Sequence, residues 1–245
     1  MTPPHVTLLV ARLRTPDPER WRRAAEAWLL PEELETAARL TDPARRAGHV
    51  VGRAVMRLAA AALSGREPAA LRFDPQSAKP RLLDEPQLGV SVAHTPEVVA
   101  VAACRGHQVG VDIEDGDATF ERNEPVAKRF FAAAEIERLA SLPAAQAAHE
   151  FVRLWTAKEA VGKALGVGIP DALRGVVLKA GEQQPGLASV GFGPPAEEWT
   201  LHQLATADGP ELIAVAVPAP GIPLVVAPAI SADQLQTGSL LPGAA

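Results

Sequence analysis

Short apolar runs of strand character alternate with longer runs of helical period along this chain, and the succession loosely repeats in the second half. In the first half the pattern predicts a strand at 6–13, helices near 18–27 and 43–63, and strands near 71–73, 89–94, 98–104 and 109–113. In the second it predicts helices near 126–131, 133–139 and 147–165, then strands at 175–179, 187–191, 200–205 and 212–217. The last two should close as a hairpin across Ala207-Asp208-Gly209. Both halves therefore read as α+β, with no residue-level repeat between them. A polar, glycine-containing stretch at 116–124 suits a linker between halves at 1–115 and 125–218. Beyond Pro218 the chain is rich in Pro, Ala, Gly and small polar residues, which predicts a flexible tail over 219–245.

Two of these elements carry acids in a pattern with chemical consequences. The run Val109-Gly110-Val111-Asp112-Ile113-Glu114 is strand-like, and side chains on a strand alternate between faces, so Asp112 and Glu114 share one face. In the helical run from Phe151 to Leu165, Phe151, Leu154, Val161 and Leu165 form the apolar stripe, and Glu159 and Lys163 lie one turn apart on its margin. Three carboxylates offering only oxygen suit a hard cation such as Mg²⁺, which keeps part of its octahedron for water and phosphate oxygens. The plain alternatives are an exposed strand face for Asp112 and Glu114, and a surface ion pair between Glu159 and Lys163 of about 0.2–0.5 kcal/mol. Like charges on one strand face without a partner are disfavoured, which favours the metal.

Charge is also unevenly placed. The chain of 245 residues has a formal charge of −5, which argues against a general nucleic-acid binder. Yet five arginines (39, 45, 46, 53 and 57) face a single acid, Asp42, between Arg39 and Arg57. On a helix Arg46, His49, Arg53 and Arg57 fall on one side, and Val51, Ala54, Val55 and Leu58 on another. Such a face is either solvated or binds an anion, arginine being suited to bidentate phosphate contacts. The hydrophobic content of 47% is ample for a core, and the single cysteine, Cys104, sits in an apolar run and reads as a core residue. No run of 18 or more apolar residues occurs, and the first residues lack a signal-peptide pattern, so the expected compartment is the cytoplasm, with no membrane contact.

The Gly-Val-Asp-Ile-Glu strand followed about 40 residues later by Trp155-Thr-Ala-Lys158-Glu159-Ala resembles the Sfp-type 4'-phosphopantetheinyl transferases. The likeness spans roughly residues 6–217 and includes Ala78-Lys79-Pro80, Val92-Ala93-His94-Thr95, and Phe130-Phe131 followed by Glu135. It implies a pseudo-dimer of two similar α+β halves with the active site in the cleft between them. It implies transfer of the phosphopantetheine arm of coenzyme A to a serine of an apo acyl or peptidyl carrier protein, with 3',5'-ADP as leaving group. Such carriers serve polyketide, nonribosomal peptide and fatty acid synthesis.

By the same resemblance Asp112, Glu114 and Glu159 are the Mg²⁺ ligands, and Glu159 is also a candidate base for the serine proton, directly or through a water on the metal. Lys163 would contact the α-phosphate, Lys79 the 3'-phosphate and His94 the coenzyme A phosphates, with Arg46 and Arg53 as further phosphate candidates. Ala93 departs from the serine usual before that histidine, which would cost one hydroxyl contact. Lys158 points about 100° away from Glu159 and is expected to pack or pair elsewhere. Trp155 reads most simply as a core anchor. The segment 126–139 is the expected carrier contact, unless Phe130 and Phe131 fill the core. The half-length synthases of the same chemistry complete their sites between subunits, and a chain with material for both halves is expected to act as a monomer. A silent binding module and a Mg²⁺-dependent pyrophosphatase are the alternatives from other classes.

Overall fold

Two helices of 22 residues each, α3 (Pro43–Ser64) and α6 (Ala144–Leu165), organise the chain, and each lies on its own sheet. The computed structural model describes residues 3–14, 18–77, 79–116, 120–179 and 185–240. It divides into two units, 1–108 with 223–245, and 109–222. The chain is α+β, with sheets of four, three and two strands.

The first unit contains β1 (Val6–Arg12), α1 (Pro18–Glu26), α2 (Pro31–Ala38), α3, β2 (Leu88–His94) and β3 (Val98–Arg105). Asp42 caps α3 by accepting from the Arg45 amide, and Pro43 opens its first turn with a fixed φ. Val51, Ala54 and Val55 are buried, and α3 packs against β2 and β3, with Gly52 facing Val92 and Val99. Cys104 is buried in β3, as expected, and burial pushes its thiol up to about 11. The predicted strand at 71–73 is reduced to a single bridge between Phe73 and Leu82.

The basic side of α3 is not a solvated face throughout. Arg57 is fully buried, donating to Glu33 Oε2 at 2.7 Å and to the carbonyls of Pro68 at 2.7 Å and Leu71 at 2.9 Å. Arg53 Nε donates to Glu33 Oε1 at 2.8 Å. The partner comes from α2, which hydrophobic periodicity did not reveal; its signal is Pro31 in the first turn with Glu33 two residues on, reaching back to the Leu30 amide at 2.9 Å.

The second unit contains β4 (Gly110–Glu114), α4 (Phe120–Phe130), α5 (Ala133–Ser141), α6, α7 (Ile169–Gly175), β5 (Val176–Leu178), β6 (Leu187–Val190), β7 (Thr200–Ala205) and β8 (Leu212–Val217). The sheet order is β4-β8-β7, all antiparallel, and β7–β8 is the hairpin expected across 207–209. Phe151, Leu154, Ala157, Val161 and Ala164 of α6 belong to its core.

Two expectations about domain limits give way. The boundary falls after Gln108 rather than over 116–124, because β4 pairs with β8 and so belongs to the second unit, while 120–124 form the start of α4; residues 117–119 lie outside the described set. The expected tail is folded as far as it is described: β9 (Leu224–Val226) pairs parallel to β1, and α8 (Ala232–Thr237) packs on α1. Pro and Ala conceal a sparse apolar set there, Ile222, Ala227, Ile230, Leu235 and Leu240, all buried. Residues 241–245, and Ala78 of the Ala-Lys-Pro motif, lie outside the described residues. Among the described residues no helix is long and apolar enough to cross a membrane.

Leu235 is fully buried, and the indole Nε1 of Trp28 donates to its carbonyl at 2.7 Å. Leu235→Ala should therefore lower unfolding free energy by about 2–5 kcal/mol in a urea titration; an unchanged midpoint would show that the C-terminal segment is not part of the cooperative fold.

Candidate active site

Strand β4 approaches α6 more closely than any side chain permits at one point. A Cβ on Gly110 would stand 1.9 Å from the carbonyl oxygen of Ala160 and 2.4 Å from the amide nitrogen of Ala164. Only glycine fits, and this contact draws the acid-bearing strand against the acid-bearing turn of the helix. Asp112 and Lys163 then meet, Nζ lying 2.5 Å from Oδ1, and the same ammonium is 3.5 Å from Glu159 Oε2. Glu114 accepts from the indole Nε1 of Trp155 at 3.0 Å. Asp112, Glu114, Glu159 and Lys163 are thus brought together, the first two by the strand period and the last two by the helical turn.

The electrostatics follow from three carboxylates sharing one ammonium in a poorly solvated place. Burial raises Glu114 to about 7, and the charges of Asp112 and Glu159 add to the effect. Glu159 is raised to about 7 by burial and by Asp112, against the opposing pull of Lys163. Burial also pushes Asp112 upward, partly offset by Lys163. Burial disfavours the Lys163 charge, but Asp112, Glu159 and Glu114 outweigh it and raise its pKa.

Asp112 Oδ2 is buried without a hydrogen-bond partner among the described residues. A buried, unsatisfied carboxylate oxygen beside two further acids is a donor set that fits a hard divalent cation. Among the described residues no three such side chains already surround a common metal position; the Lys163 ammonium lies between Asp112 and Glu159 instead. The residues fit the ion by chemistry and by their unmet charge.

Lys158, beside Glu159 in the sequence, turns the other way. It is fully buried and pairs with Glu135 at 2.8 Å, donates to the carbonyls of Leu173 at 3.2 Å and Val176, and lies 4.8 Å from the Phe131 ring centre. Glu135 also accepts from the amides of Ala132 at 3.0 Å and Leu178 at 3.1 Å. This pair ties α6 to α5, α7 and β5. The two phenylalanines divide the expected roles: Phe131 is buried and stacks on Phe151 at 5.5 Å, whereas Phe130 is half-buried between Arg129 and Arg174.

In the first unit, His94 ends β2 and its ring lies against α3, where a Cβ on Gly48 would be 2.8 Å from Nδ1. Burial lowers the pKa of His49, and the nearby Arg53 and His94 lower it further. Arg53 has its guanidinium 4.5 Å from the Phe73 ring centre and lines a cleft of about 290 Å³ with His49, Arg57, Arg72 and Pro80. Lys79 donates to Gln108 at 2.8 Å, and burial brings it down to about 8. Arg46 is exposed and directs its guanidinium to the Leu40 carbonyl, apart from that cleft. Glu33, which fixes Arg53 and Arg57, was invisible to motif reading because it contributes a structural anchor rather than a ligand.

The family model of the 4'-phosphopantetheinyl transferase superfamily matches residues 108–216, the stretch that holds the acidic cluster. The chain is 36% identical over 176 residues to the 4'-phosphopantetheinyl transferase HetI of a Nostoc species, covering 68% of this chain and 74% of that one. It is 32% identical over 183 residues to the L-aminoadipate-semialdehyde dehydrogenase-phosphopantetheinyl transferase of Eremothecium gossypii, covering 66% of this chain and 64% of the other.

The raised Glu114 has a thermodynamic signature. From 4.5 to about 7 the folded state holds a proton that the unfolded state releases, so that contribution to stability is present below 4.5 and lost as pH rises through about 7. In EDTA, Glu114→Gln should gain stability relative to wild type progressively across that window. A difference in urea midpoint independent of pH would contradict the cluster's electrostatics.

Proposed function

The chain belongs to the 4'-phosphopantetheinyl transferase superfamily, and we propose that it moves the phosphopantetheine arm of coenzyme A onto a serine of an apo acyl or peptidyl carrier protein, in a Mg²⁺-dependent reaction. Transfer of 4'-phosphopantetheine follows from membership; the carrier, the metal and the residue roles are our reading. The observation that carries it is the cluster of Asp112, Glu114 and Glu159 around Lys163, within the matched region.

In this reading the serine Oγ attacks the β-phosphorus, the bond from that phosphorus to the bridging oxygen breaks, and 3',5'-ADP leaves. Asp112, Glu114 and Glu159 would hold the Mg²⁺, which when bound supplies positive charge to the pyrophosphate oxygens. Glu159 accepts the serine proton, directly or through an intervening water. Lys163, kept protonated by its acidic neighbours, answers the charge on the departing phosphate. Lys79, His94 and Arg53 bind coenzyme A phosphates, and Arg46 joins them only by giving up its bonds to Leu40.

We also read the two units as copies of one α+β half. The support is a shared device: Arg57 and Lys158 each sit at the fifteenth position of a 22-residue helix, each fully buried. Each pairs with a glutamate at the third position of a preceding short helix, Glu33 or Glu135, that also caps that helix. Each also donates to two backbone carbonyls.

Incubation of an apo carrier domain with this protein, coenzyme A and Mg²⁺ should add one phosphopantetheine by intact-mass spectrometry. EDTA or Glu159→Gln should prevent the gain. No gain with acyl and peptidyl carriers alike would contradict the proposal. Lys79→Ala should raise the KM for coenzyme A by about tenfold or more, as expected for loss of a charged hydrogen bond, and spare the KM for carrier. The reverse pattern would remove Lys79 from the phosphate site.

A further inference from the structure

Trp155 was expected to be a core anchor, and its ring does pack, tilted on Phe151 with centroids 5.7 Å apart. It is nevertheless only half-buried, and its polar edge faces the acidic cluster. The indole N–H donates to Glu114 Oε1 at 3.0 Å, and it favours the ionised form of Glu114 and of Glu159. Glu114 comes from β4, whereas Glu159 lies one turn beyond Trp155 on α6. One N–H therefore joins the two elements that carry the carboxylates.

The charges of Asp112 and Glu159 repel that of Glu114, and without a fixed donor its carboxylate gains by rotating toward water. A lysine in place of the indole would hold it but add a positive charge that competes with a cation for the same oxygens. Indole donates without accepting and carries no charge, so it orients the acid and leaves its negative charge for the ion. We propose that Trp155 is a positioning residue for the metal ligands, its N–H fixing Glu114 from α6 in the orientation in which it binds a divalent cation together with Glu159. This rests on the reading of those acids as the cation site.

The test is Mn²⁺ titration of the full chain by electron paramagnetic resonance, comparing wild type with Trp155→Phe and with a protein carrying 3-benzothienylalanine at position 155. The benzothienyl side chain keeps the bicyclic shape and replaces N–H by sulfur, so it decides the matter even where Phe packs poorly. Both variants should bind Mn²⁺ about tenfold or more weakly, the usual scale when a group orienting a metal ligand is lost. Saturating Mn²⁺ should restore turnover, with the KM for coenzyme A unchanged. Wild-type affinity in the benzothienyl protein, or turnover that saturating Mn²⁺ does not restore, would overturn the role of Trp155. If wild type itself takes up no Mn²⁺, the assignment of the carboxylates fails, and this inference with it.

Discussion

The contact between Gly110 and the backbone of α6 is the constraint on which the acidic site depends. A β-carbon there would overlap the Ala160 carbonyl at 1.9 Å, so a strand with any other residue at this position would stand off from the helix. The separation matters because the site is shared between the two elements: Asp112 and Glu114 belong to β4, and Glu159 and Lys163 to α6. Stand-off by an ångström would stretch the 2.5 Å contact between Lys163 and Asp112 to about 3.5 Å and weaken the pairing of a buried carboxylate with its cation. Glycine thus does here what a ligand residue cannot, by removing volume.

Rigidity behind that contact comes from charge buried on the opposite side of the helix. Lys158 is paired with Glu135 and bonded to two carbonyls, so α6 is held in rotation by groups that cannot be moved without exposing an unpaired charge to an apolar surrounding. Removing one partner of such a pair typically costs about 3–5 kcal/mol, far more than a surface pair contributes. Because Lys158 and Glu159 are adjacent, fixing the first aims the second. Arg57 and Glu33 impose the same restraint on α3, whose early turns carry Gly48, His49 and Arg53.

The acids were legible in sequence because strand and helix periods are local geometry, and the two motifs each fit within one element. Lys163 was legible too, but its partner was not: the i+4 rule offers Glu159 at 3.5 Å, whereas the closer contact is to Asp112, far away in the chain. Arg57 was read as part of a basic face because helical projection shows which side a residue is on and not what is packed there. The C-terminal strand and helix were hidden for a different reason, since five apolar positions spread among Pro, Ala and Gly give no period to detect. Trp155 shows the limit of residue types: an indole packs and donates, and only the position of Glu114 at 3.0 Å distinguishes the two.

The most direct measurement is a crystal structure with Mn²⁺ and coenzyme A, located by the anomalous scattering of manganese. The account predicts a manganese peak on Asp112, Glu114 and Glu159, the Lys163 ammonium moved from Asp112 to a phosphate oxygen, and Gly110 still in contact with Ala160. A bound coenzyme A with manganese held elsewhere, and Lys163 unmoved between Asp112 and Glu159, would contradict it.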